Sequence, residues 1–109
     1  MAARFYSKFT KTDMSGEPFY PPRVFRYVAV HQRIIAEPSF IIEVGEDLEQ
    51  KLEALRAYRS QFVDNAANSG VIDMVAGAAR MWGALGGVDV GEPFFALEPI
   101  ALSGPDAIL

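Results

Sequence analysis

Cysteine is absent from the 109 residues. Its absence removes disulfides, thiolate nucleophiles and cysteine-based zinc sites together. Histidine is nearly absent as well: His31 is the single one, so no His pair exists to hold a metal. The aspartates (Asp13, Asp47, Asp64, Asp73, Asp89 and Asp106) are scattered without ligand-like spacing or a partner histidine. An excess of positive charge is missing too, with 10 Lys and Arg against 14 Asp and Glu and a net charge of −4. That balance argues against nucleic acid, which needs a basic face. No apolar run approaches the ~20 residues of a membrane span, and no polybasic cluster suggests a membrane surface. The opening Met1-Ala-Ala-Arg-Phe-Tyr-Ser-Lys-Phe9 lacks the apolar core and cleavage site of a signal peptide. A soluble cytoplasmic protein is the expectation.

What is present points to a globular chain. Half the residues are apolar and eight are Phe, a profile that separates the chain from disordered sequences. Its length suits one domain with one core, burying roughly two thirds of the unfolded surface. Independent stability is therefore possible but thin.

Periodicity and punctuation predict the elements. Ala2 to Phe9 reads as the end of a helix, with Phe5 and Phe9 on one face and no capping residue before it. Thr10 to Pro22, with Gly16, Pro18, Pro21 and Pro22, cannot hold a helix. Val24 to Val30 reads as a strand. Phe40 to Val44 reads as a second, nearly continuously apolar strand of the kind covered on both faces. From about Asp47 to Phe62, Leu48, Leu52, Leu55, Tyr58 and Phe62 form one apolar stripe of a helix. Asp47 with Lys51 and Glu53 with Arg56 supply charge pairs on its other face. Val63 to Gly70 is a polar turn region. Ile72, Val75, Ala79 and Trp82 mark a second amphipathic helix, closed by Gly83 and then Gly86-Gly87. Phe94 to Leu97, between Pro93 and Pro99, is a last extended segment. The order is α-β-β-α-α-β, an α/β or α+β layer arrangement, with no repeat and no low-complexity tract.

Several literal strings go beyond periodicity. They are Tyr6-Ser-Lys-Phe9, Gly16-Glu-Pro18, Pro22-Arg-Val-Phe25, Glu37-Pro-Ser-Phe-Ile-Ile42, Ala57-Tyr-Arg-Ser-Gln-Phe62, Arg80-Met-Trp-Gly83 and Gly87-Val-Asp-Val-Gly-Glu-Pro-Phe94. In that order and at those spacings they resemble the C-terminal half of the LmbE/PIG-L family of zinc-dependent N-acetylglucosaminyl deacetylases. That family includes the bacillithiol and mycothiol deacetylases. No single string decides the matter, but the ordered set covers nearly the whole chain. The resemblance implies that residues 1–109 are one partial domain, the C-terminal portion of a Rossmann-like deacetylase fold.

The family's activity is implied in the same way. Its N-terminal half carries a His-Pro-Asp-Asp and a His-Pro-Asp-His motif, which give zinc a His, an Asp and a second His. The remaining Asp serves as general base on the metal-bound water, in the open geometry a catalytic zinc needs. The substrate would be an N-acetylated amino-sugar conjugate, the products acetate and a free amine. Neither motif stands in this sequence. The expectation is therefore zinc in the intact family fold, none in this chain alone, and no catalytic residue here. An uncapped first helix is what a start at an internal Met, just past the second metal motif, would leave. Val90 and Gly91 replace the family's usual Tyr and Ala, and Val71 stands where some members carry Tyr, which leaves substrate preference open.

Two residues are candidates for shaping a substrate pocket: His31, at the end of the predicted strand, and Glu92, which matches the family's closing Glu. A structural or solvent-exposed His31 is the plainer reading, and a structural Glu92 is as good as a functional one. Arg59-Ser60-Gln61 reads as a polar helix end, Trp82 as core, and Glu46-Asp47-Glu49 as favourable charge at a helix N-terminus. The alternative to a deacetylase portion is an autonomous α/β ligand-binding or interaction module. A strand left without its neighbours would make the lone chain prone to aggregate or to form a homo-oligomer.

Overall fold

The computed structural model describes residues 2–9, 15–29 and 36–108. His31, Val30 and the Thr10–Met14 part of the expected loop lie outside the described residues. The chain divides into two compact units, one of Met1–Phe25 with Ala96–Leu109 and one of Arg26–Phe95.

In the first unit, α1 (Ala2–Tyr6) is short and is followed by a turn in which Phe9 N–H donates to the Tyr6 carbonyl at 3.1 Å. Phe5 and Phe9 meet edge to face at 5.8 Å, as their spacing on one face requires. Arg4 organises the proline-rich stretch. Its guanidinium donates to the carbonyls of Pro21 and Pro22, each at 2.8 Å, and pairs with Glu98 at 2.7 Å. The same group lies 4.8 Å from the ring centre of Tyr20. Prolines cannot donate to a ladder, so a planar cation with several donors holds their carbonyls instead.

The second unit contains most of the regular structure. Its sheet has the order β1-β3-β2, with β1 Phe25–Tyr27, β2 Phe40–Glu43 and β3 Gly91–Ala96. β2 and β3 run antiparallel, Phe40 opposite Phe94 and Glu43 opposite Gly91. The Phe40 and Phe94 rings stack at 5.5 Å, nearly parallel at 7°. Between β2 and β3 the chain forms α2 (Leu48–Ala57), α3 (Arg59–Phe62), a 3₁₀ turn (Ala66–Asn68) and α4 (Val71–Gly86). Leu52, Val75 and Ala76 form the centre of the α2–α4 contact, flanked by Leu48, Leu55, Val71 and Ile72. Among the described residues no large side chain is fully buried.

Five expectations are corrected. The helix expected from Asp47 to Phe62 breaks at Tyr58, whose φ and ψ are −83° and 59° and whose N–H returns to Leu55 rather than Ala54. No Gly or Pro stands near the break. The break leaves Tyr58 exposed, off the stripe. The charge pairs also differ. Lys51 reaches across to Glu92 instead of Asp47, and Arg56 reaches two turns back to Glu49 at 2.6 Å rather than to Glu53. Gly83 lies inside α4, which continues to Gly86. Gly87, at φ 77°, is the left-handed residue that ends it. Val88 N–H bonds the Gly83 carbonyl at 2.9 Å and Gly87 N–H the Ala84 carbonyl at 3.4 Å, the pairing of a Schellman close.

Pro93 is inside β3, not at its border, and faces Ile41. Val44 N–H donates to the Val90 carbonyl. Alternation from that bonded pair makes Ile41–Pro93 a non-hydrogen-bonded pair, so the missing proline N–H costs β2 nothing. Finally, β2 is not covered on both faces, since Ile42 is 46% exposed.

Candidate functional site

A cavity of about 400 Å³ lies within the second unit, between the sheet and the helices. Each element contributes by its own periodicity. α4 turns Val71, Met74, Val75, Ala78, Ala79 and Trp82 toward it, a run of steps of three, one, three, one and three along one broad apolar face. α2 adds Leu55 and Lys51. The bend at Tyr58 sets α3 so that Phe62 joins the lining. The sheet adds Gly91, Glu92 and Pro93 from β3, and Tyr27, Val28 and Ala29 from β1 and the residues after it.

Polar groups are few among the described lining residues. Lys51 and Glu92 form an ion pair, with side chains 47% and 27% exposed, so the pair belongs to the rim and not the interior. Among the described lining residues, Asn68 on the 3₁₀ turn adds an amide, Tyr27 a phenol and Trp82 an indole N–H. That turn is fixed by Asn65, whose Oδ1 accepts from Ala67 N–H at 3.0 Å. Among the described residues no buried side-chain polar atom lacks a partner.

Of the two candidate pocket residues, Glu92 lines the cavity, while His31 lies outside the described residues. Trp82, read as core, is half-buried and part of the lining. Arg59-Ser60-Gln61 is exposed and does not line it; Arg59 pairs with Asp64 at 2.9 Å. Sequence reasoning misses Lys51, Phe62 and Asn68 as lining residues. Phe62 is legible as the last member of the α2 stripe, but Lys51 is not, because nothing local points a lysine at a strand 41 positions away.

The described residues do not fit a zinc ion. Among them no three His, Cys, Asp or Glu side chains converge. Among the described lining residues the one carboxylate is Glu92, already paired with Lys51, whereas a catalytic zinc takes three protein ligands. The arrangement is an apolar cleft with a cation and an anion side by side at its edge. No helix among the described residues is long and apolar enough to cross a membrane.

No family model matches the chain. Its fold is similar to a solved structure, the crystal structure of the conserved protein TT1542 from Thermus thermophilus. The two are 32% identical, with a TM-score of 0.77. The likeness covers 95% of this chain and 44% of that one, so the chain spans less than half the length of the solved protein it matches.

Proposed function

We propose that this chain is the C-terminal portion of a zinc-dependent deacetylase of N-acetylglucosamine conjugates, of the LmbE/PIG-L kind. In this reading it shapes the substrate pocket and leaves the metal ligands to the rest of the protein. The observation that carries it is the ordered set of strings from Tyr6 to Phe94, which falls on a fold also found within a longer protein. The strings fall at the α2–α3 bend (Ala57–Phe62), within α4 (Arg80–Gly83) and from the end of α4 into β3 (Gly87–Phe94). The Rossmann-like character belongs to this proposal; the described sheet has three strands, with β2 and β3 antiparallel. A zinc-bound water would supply the hydrolytic chemistry in the complete protein. This chain's contribution is the wall that carries Lys51 and Glu92.

The second reading, an autonomous ligand-binding module, draws on the cavity. Its volume of about 400 Å³ falls within the range of small-molecule sites, and its apolar lining with few polar groups is typical of them.

The DNA immediately upstream of Met1 separates the two. An open frame encoding His-Pro-Asp-Asp and then His-Pro-Asp-His supports the deacetylase. A stop codon or an unrelated gene there sinks it and leaves the module.

A further inference from the structure

We draw no further inference here: the strongest candidate, the Lys51–Glu92 ion pair at the rim of the cavity between the sheet and α4, belongs to the site already described, and nothing among the described residues shows what covers that cavity.

Discussion

Gly83 and Val90 touch backbone to backbone. A Cβ built on Gly83 would stand 2.6 Å from the Val90 Cα and 2.7 Å from the Asp89 carbonyl. Neither neighbour is a flexible side-chain tip that could swing away. The contact joins the last turn of α4 to the entry of β3, and the Val88 N–H bond to the Gly83 carbonyl reinforces it. Gly83→Ala should therefore destabilise the chain by about 1–3 kcal/mol, the range for overpacking, despite alanine's better helix propensity. Urea unfolding followed by circular dichroism checks it.

Gly77, six residues earlier in the same helix, gives the opposite expectation. It is exposed, and nothing lies within 4 Å of its would-be Cβ. Gly77→Ala should stabilise by roughly 0.5–1 kcal/mol through propensity alone. A stability gain at Gly77 beside a loss at Gly83 would show that packing, not helix composition, governs α4.

Gly87 holds φ at 77°, where a Cβ is strained. Gly87→Ala should cost about 1 kcal/mol and Gly87→Asn less, since Asn tolerates the left-handed region. The same unfolding measurement separates the three.

The Lys51–Glu92 pair is partly solvated, and surface pairs contribute little. A double-mutant cycle with Lys51→Met and Glu92→Gln should return a coupling of roughly 0.2–1 kcal/mol. It should shrink in molar salt as screening shortens to a few ångströms. The importance assigned to this pair lies in where it stands, at the cavity rim, more than in stability.

The arginine pairs add no pH dependence near neutrality. A hydrogen bond from Arg4 to Glu98, and one from Arg56 to Glu49, raise both guanidinium pKa values above the ordinary one. A raised folded pKa gives stabilisation that is complete below the unfolded pKa and lost only as pH climbs past it. Arg4→Lys should loosen the Tyr20–Pro22 stretch at every accessible pH, because an ammonium cannot donate in one plane to two carbonyls and a carboxylate. Hydrogen exchange on Tyr20 and its neighbours, faster by the same factor at pH-corrected rates across pH 6 to 8, would bear this out.

Much of the fold is legible in the residues themselves. Apolar runs and 3.6-residue patterns locate the strands and the two long helices, and Gly87 closing α4 follows from the rule for helix ends. Tyr58 misleads because its spacing fits the stripe, while its backbone angles of −83° and 59° take it out of the helix. Gly83 passes for a terminator because sequence cannot tell a glycine needed for φ from one needed for closeness. Pro93 passes for a boundary because whether a missing N–H matters depends on which strand pair it faces. The cavity rim joins Lys51 and Glu92 across long-range pairing, for which local pattern carries no signal.

Acetate release from an N-acetylglucosamine conjugate in the presence of zinc, by the 109-residue chain alone and by the chain joined to the unmatched part of the similar Thermus protein, is the most direct measurement. The joined protein should release acetate and hold zinc, and the lone chain should do neither. Zinc-dependent hydrolysis by the lone chain would contradict the proposal that its metal ligands reside elsewhere.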